Sequence, residues 1–173
     1  MNAAMLMAKA SSLLHHLAKS IDDPGELLSR VNNEICESIS HGMFVTLVSG
    51  FLDAKNQTIK FSNAGHQPPL FHTNKGEFIE IEASAPPIGI IPAIEFPVET
   101  INLNGGVVYL FTDGITEIKD PSGEMLGAEG FQDYIKKYQS KPNNERLKII
   151  IEDIVRSGKI QKDDLTIVVI DGK

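Results

Sequence analysis

The stretch Val107-Val108-Tyr109-Leu110-Phe111-Thr112-Asp113-Gly114 constrains this chain more than any other. A run of β-branched and aromatic apolar residues fits a buried strand, and the Asp-Gly pair after it requires the backbone to turn. Asp113 therefore stands at a strand end. A carboxylate fixed to a rigid strand and aimed out of its end is suited to holding a metal ion or polarising a water. An Asp-Gly pair after an apolar run is also a common turn in which the carboxylate caps its own backbone. The stretch by itself leaves both readings open.

Elsewhere the apolar spacing sorts the chain into helices and strands. Ala3, Leu6, Ala10, Leu13 and Leu17 recur at intervals of three and four, with Met7, Leu14 and Ile21 alongside, which predicts an amphipathic helix without a capping residue ahead of it. Asp23 as cap, Pro24 in the first helical position and Glu26 three residues after the cap predict a second helix. Its buried stripe is Leu28, Val31, Ile35 and Ile39, and Gly42 is expected to end it. Residues 43–53 and 58–64 predict a hairpin across Ala54-Lys55-Asn56-Gln57. Short strands at residues 70–72 and 78–81 flank a turn at Asn74-Lys75-Gly76, and Pro86, Pro87, Gly89 and Pro92 make residues 83–92 a loop. Residues 98–103 and 107–112 are expected to pair as a further hairpin across Asn104-Gly105-Gly106.

Helical spacing then returns with Phe131, Tyr134, Ile135 and Tyr138, and again with Leu147, Ile150, Ile151, Ile154 and Val155, closed by Gly158. Residues 165–170 form a continuous apolar run, expected at the centre of a sheet because such runs suit strands covered on both faces. With no repeat or linker, this pattern predicts one α+β domain, an antiparallel β-sandwich flanked by helices.

The chain has 173 residues, enough for one proper core, and its 42% hydrophobic and 23% charged residues argue against disorder or a fibrous repeat. A net charge of −7 argues against a general nucleic-acid binder and means that an anionic substrate needs a local source of positive charge. Cys36 is the single cysteine and cannot form an internal disulfide, which fits a reducing, cytoplasmic setting. No apolar run is long enough for a transmembrane span, and the first ten residues are too short and too weakly basic for a signal peptide.

A second carboxylate pair, Asp163-Asp164, precedes the closing apolar run. If that strand neighbours residues 107–112, Asp113 and Asp163 share one site with the oxygen donors that Mg²⁺ or Mn²⁺ prefers. A solvated acidic turn is the plainer alternative. Asn63 and His66 lie in a loop marked by Gly65, Pro68 and Pro69 and are candidates to line a site, but a histidine there is expected to serve as a hydrogen-bonding loop residue. His15, His16, His41 and His72 have no metal-ligand spacing with cysteine, so a structural zinc site is not expected. Glycine-rich nucleotide loops and a serine nucleophile elbow are missing from the sequence.

The ordered set Asn2-Ala3-Ala4-Met5-Leu6-Met7-Ala8, Phe44-Val45-Thr46, Asn63-Ala64-Gly65-His66-Gln67-Pro68-Pro69, Pro87-Ile88-Gly89, Phe111-Thr112-Asp113-Gly114-Ile115-Thr116-Glu117 and Asp163-Asp164-Leu165-Thr166 resembles the SpoIIE/RsbU-type branch of the PPM metal-dependent protein serine/threonine phosphatases. The resemblance spans nearly the whole chain. It implies an α-β-β-α sandwich, a centre of two Mn²⁺ or Mg²⁺ ions, and hydrolysis of phosphoserine or phosphothreonine on a protein such as an anti-sigma-factor antagonist. It makes Asp113 and Asp163 metal ligands, and Asp164 and Gly114 belong to the same motifs.

In that family the helix matching residues 3–8 follows a Gly-Asp-Val-x-Gly-His/Lys-Gly stretch whose Asp bridges both metals. These 173 residues lack it. The chain thus resembles an N-terminally truncated phosphatase domain, and its metal binding and turnover are expected to be weak or absent. The alternative is a non-catalytic phosphoprotein-binding module in a partner-switching pathway. Without upstream neighbours, the stripe of Leu6, Leu13 and Leu17 is expected to pack against another copy in a homodimer.

Overall fold

A computed structural model describes residues 3–38, 42–120, 122–156 and 164–172. In chain order its elements are α1 (Ala3–Leu17), α2 (Pro24–Cys36), β1 (Leu47–Asp53), β2 (Thr58–Ala64), β3 (Leu70–His72), β4 (Phe78–Glu80), β5 (Glu99–Asn102), β6 (Val107–Phe111), α3 (Asp113–Thr116), α4 (Gly127–Lys137), α5 (Asn143–Arg156) and β7 (Ile167–Asp171). They fall into two compact units, Met1–Pro68 with Ile81–Asn104, and Pro69–Glu80 with Gly105–Lys173. The α+β class with antiparallel sheets and flanking helices is the expected one.

In the first unit a three-stranded antiparallel sheet has the order β1-β2-β5. Its core joins Leu27, Leu28, Val31 and Ile35 of α2 to Leu6 and Ala10 of α1 and to Val45, Ala64, Ile88 and Phe96. The start of α2 is as expected: the Asp23 carboxylate accepts from the Glu26 N–H at 2.9 Å, satisfying a donor that the first turn leaves open. Its end is not at Gly42. The helix stops at Cys36 because the last carbonyls find other partners: Ser38 Oγ donates to the Glu34 and Ile35 carbonyls at 3.0 Å, and Lys9 Nζ of α1 donates to the Glu34 carbonyl at 2.8 Å. Ile39 lies outside the described residues. Likewise β1 begins at Leu47 rather than at residue 43, because Val45 pairs with Ile88 instead, N–H to carbonyl in both directions. Asn32, fully buried on α2, donates to the Ile91 carbonyl and accepts from the Gly89 N–H, both at 2.9 Å, and so fastens the proline-rich loop.

In the second unit the sheet order is β4-β3-β6-β7, again antiparallel throughout. One face carries Leu70, Tyr109 and Phe111 onto Phe131 and Ile135 of α4 and Ile150 and Ile154 of α5. Directly opposed residues share a face, so His72, Val107 and Asp171 continue that face along the sheet. Arg146 of α5 is buried there. Its Nη1 donates to Tyr109 Oη at 2.6 Å, and its Nη2 donates to the Gln139 and Lys141 carbonyls at 2.8 and 2.9 Å, joining β6, α5 and the turn after α4. Burial raises the Tyr109 hydroxyl above its ordinary pKa, and the Arg146 hydrogen bond and charge oppose that rise.

Two strand expectations are overturned. Residues 98–103 and 107–112 do not form a hairpin; β5 pairs with β2 and β6 with β3 and β7. The backbone at both ends of the intervening turn is engaged elsewhere, since the Leu103 N–H donates to the Gln57 carbonyl and the Gly106 carbonyl accepts from the Gly172 N–H. The turn residues are as expected, with Asn104 at φ 44 and Gly105 at φ 78. The closing strand β7 is an edge strand rather than a central one, paired only with β6 among the described residues. Ile167 and Val169 face the core while Val168 is 51% exposed, so this apolar run is covered on one face alone. In α5 the stripe is buried at Ile150 and Ile154, half-buried at Leu147 and Ile151 and exposed at Val155, and Gly158 lies outside the described residues.

Candidate metal-binding site

The site is built where β6 ends. Thr112 is still extended, at φ −89 and ψ 162, and the chain then closes a single helical turn, α3, with the Glu117 N–H and Thr116 Oγ1 both donating to the Asp113 carbonyl, at 2.8 and 3.2 Å. Ile115 is fully buried and anchors the turn, whereas Asp113 beside it is exposed. The apolar strand thus fixes the backbone from one side, the buried isoleucine fixes it from the other, and the carboxylate is left in solvent.

Because β6 and β7 are antiparallel, with Phe111 opposite Ile167, residues 164–166 run beside residues 112–114. The Thr112 N–H donates to the Thr166 carbonyl at 3.2 Å. Thr112 Oγ1 accepts from the Thr166 N–H at 3.3 Å and donates to the Asp164 carbonyl at 3.4 Å. Gly114 approaches the same carbonyl so closely that a Cβ there would lie 2.2 Å from the oxygen. The two acidic motifs are therefore adjacent, through the backbone of Asp164. Asp163 lies outside the described residues.

Asp113 offers carboxylate oxygen, which fits a hard divalent cation in kind. Among the described residues no group of three or more His, Cys, Asp and Glu side chains gathers closely enough to hold a metal ion. Asp113 is thus the described half of the expected pair.

Asn63 and His66 belong to the other unit. Asn63 is buried and ties its own loop: its Oδ1 accepts from the His66 N–H at 2.8 Å and its Nδ2 donates to the His66 carbonyl at 3.2 Å. Thr46 Oγ1 and His66 Nδ1 are 3.3 Å apart, within hydrogen-bonding range. Gly65 permits the bend with φ 67, and a Cβ there would lie 2.6 Å from the Pro87 ring. These bonds give His66 the loop role expected for it, and Asn63 holds the same loop. Thr112 was not singled out by residue spacing; the signal for it was only a threonine directly ahead of a turn.

The family model described as Stage II sporulation protein E matches residues 1–173, the entire chain. The chain belongs to the SpoIIE family. Its curated relatives include the phosphoserine phosphatase RsbU of Bacillus subtilis strain 168, 24% identical over 171 residues that cover 97% of this chain and 51% of RsbU. Among solved structures, the SiaA-PP2C domain of Pseudomonas aeruginosa superposes with a TM-score of 0.82 at 18% identity, covering 97% of this chain and 69% of that one. The phosphatase domain of SpoIIE from Bacillus subtilis, presoaked with Mn, matches with a TM-score of 0.62 at 22% identity over 99% of this chain and 72% of that one. These likenesses show the fold of a PP2C phosphatase domain. This SpoIIE-family chain spans about half, or less, of the length of the curated relatives it matches.

Proposed function

We propose that this chain is a protein serine/threonine phosphatase that hydrolyses phosphoserine or phosphothreonine on a partner protein, with Asp113 and Asp163 holding Mn²⁺ or Mg²⁺. The observation that carries the proposal is the junction of the two acidic motifs, with Gly114 against the Asp164 carbonyl and Asp113 exposed beside it. RsbU, a relative along nearly the whole chain, is a phosphoserine phosphatase, which supports the same reading.

When bound, divalent ions supply positive charge for the phosphate oxygens and lower the pKa of a coordinated water. The chain's own residues do the positioning. The α3 turn presents Asp113 at the surface, where a phosphorylated side chain of another folded protein can reach it. Ile115 and the β6 strand hold that turn to the core, so the carboxylate does not have to be ordered on binding. A chain of net charge −7 repels phosphate, so productive docking requires the cation.

We read residues 1–173 as a portion of one phosphatase domain. Its substrate is a phosphorylated anti-sigma-factor antagonist of a partner-switching pathway in the cytoplasm, and, since Leu6, Leu13 and Leu17 pack within their own unit, it is the exposed side of α1 that contributes to a homodimer. No helix among the described residues is long and apolar enough to cross a membrane. The test is hydrolysis of p-nitrophenyl phosphate and of a phosphoserine protein with and without Mn²⁺. The native 173-residue chain, Asp113→Ala, and a chain carrying the Gly-Asp-Val-x-Gly-His/Lys-Gly stretch upstream are compared. Weak manganese-dependent turnover in the native chain, strong turnover in the extended one and none in Asp113→Ala is the expected pattern. Partner binding that survives both Asp113→Ala and chelation, with no turnover in any chain, replaces this reading with a phosphoprotein-binding module. Light scattering over a concentration series tests the homodimer, and a monomeric mass throughout removes it.

A further inference from the structure

Thr112 occupies the N-cap position of α3, the place where a threonine hydroxyl ordinarily accepts from an N–H of its own helix. It makes no such bond. Its hydroxyl instead accepts from the Thr166 N–H at 3.3 Å and donates to the Asp164 carbonyl at 3.4 Å, while its own N–H donates to the Thr166 carbonyl at 3.2 Å. One residue therefore takes up a donor and two acceptors of the segment entering β7. The neighbouring Gly114 has no side chain to push that segment away, and with a Cβ it would meet the Asp164 carbonyl at 2.2 Å.

We propose that Thr112 is a positioning residue for the metal site, its hydroxyl setting the backbone of Asp164 to Thr166 at a fixed distance from Asp113. This inference rests on the metal-site reading above. A shared cation demands that its donors stay within a few tenths of an ångström of their places, and outer partners that hold ligands are worth roughly ten- to a hundred-fold in metal affinity. Register between β6 and β7 fixes the strands, but that ladder ends at the Phe111 and Ile167 pair. Beyond it the Thr112 bonds carry the alignment onward to the acidic residues. A serine keeps the hydroxyl; a valine keeps the shape and loses it.

The experiment compares Thr112→Val and Thr112→Ser with the native chain by two readouts. The first, without metal, is amide hydrogen exchange. Thr112→Val is expected to speed exchange at the Thr166 N–H about tenfold or more, with Thr112→Ser close to native; unchanged exchange in Thr112→Val overturns the inference whatever the metal does. The second is Mn²⁺ affinity, read from free-ion paramagnetic resonance. Thr112→Val is expected to weaken binding about tenfold while Thr112→Ser retains it. A lowered melting temperature and faster exchange with unaltered Mn²⁺ affinity mark Thr112 as merely structural and also overturn it. If the native chain binds no Mn²⁺, the function proposed above falls, and the exchange result alone decides whether Thr112 fixes the Asp164 backbone.

Discussion

Gly114 and the carbonyl of Asp164 approach so closely that a Cβ on the glycine would lie 2.2 Å from the oxygen, well inside van der Waals contact. The obstacle is backbone, which cannot rotate aside as a side chain can. Gly114→Ala is therefore expected to force residues 112–114 away from residues 164–166. A loss of about 1–3 kcal/mol, as for other overpacked sites, should appear as a lower urea midpoint. Any stabilisation by Mn²⁺ should vanish with it, because a ligand that binds only the aligned site raises the melting temperature only while the site exists. A variant that melts like the native chain and still responds to Mn²⁺ would contradict the observed contact.

The second prediction concerns the buried guanidinium. Arg146→Ala leaves the buried Tyr109 Oη and the partly buried carbonyls of Gln139 and Lys141 without their donor. Orphaned buried groups cost about 1–3 kcal/mol each, some of it recovered by water, so a total near 3 kcal/mol is expected in urea unfolding. Tyr109→Phe removes one of these bonds and should cost about half as much. Equal losses would mean that Tyr109 carries the whole network.

A third prediction is an acid sensitivity from His72. Its ring stacks on Phe78 with centroids 4.3 Å apart and planes 9° from parallel, and Nε2 is buried without a hydrogen-bond partner among the described residues. Burial, and then the charges of Arg146 and Lys136, push its pKa below the ordinary value. Below a pH of about 6.5 the unfolded chain takes up the proton before the folded chain does. The contribution of neutral His72 is thus complete above that pH and is lost as pH falls toward the folded-state value. His72→Phe keeps an aromatic ring to stack and removes the titration. Urea midpoints should fall less for this variant than for the native chain between about pH 7 and about pH 5.5. Parallel declines would assign the acid sensitivity to other groups.

Asn32→Ala should release the proline-rich loop. The Gly89 N–H and the Ile91 carbonyl both lose a 2.9 Å partner, at an expected cost of about 2 kcal/mol. Limited proteolysis should then cut within residues 88–94 at protease levels that leave the native loop intact. An unchanged digestion pattern would show that the Val45–Ile88 pairing suffices to hold the loop.

Local chemistry was readable in the sequence wherever its partners lie nearby in the chain. Asp23, Pro24 and Glu26 announced α2 because cap, first turn and helix are contiguous. The end of α2 was not readable, since the groups that satisfy its last carbonyls include Lys9 from another helix. Strand positions were largely legible and strand partners were not: nearness in sequence favours pairing β5 with β6, whereas Val107 in fact faces Asp171. At the site, Asp113 and the Asp163-Asp164 pair stood out by residue type, and their motifs do meet through β6 and β7. The work done by Thr112 was hidden because its hydroxyl bonds to backbone 52 and 54 residues away, and backbone atoms leave no mark on residue identity.

The interleaving of the two units bears on how the chain is made. Residues 69–80 belong to the second unit but are bracketed by stretches of the first. No single cleavage yields either unit whole. During synthesis β3 and β4 emerge with only each other to pair with, and a lone hairpin is marginal in water. The free edge of β3 stays unpaired until β6 arrives, its apolar face waits for α4 and α5, and β7, the last of the described elements, completes that sheet. Assembly of the second unit consequently waits until β7 has been synthesised, so a ribosome stalled after β5 would display an unfinished sheet edge open to chaperones and to neighbouring nascent chains.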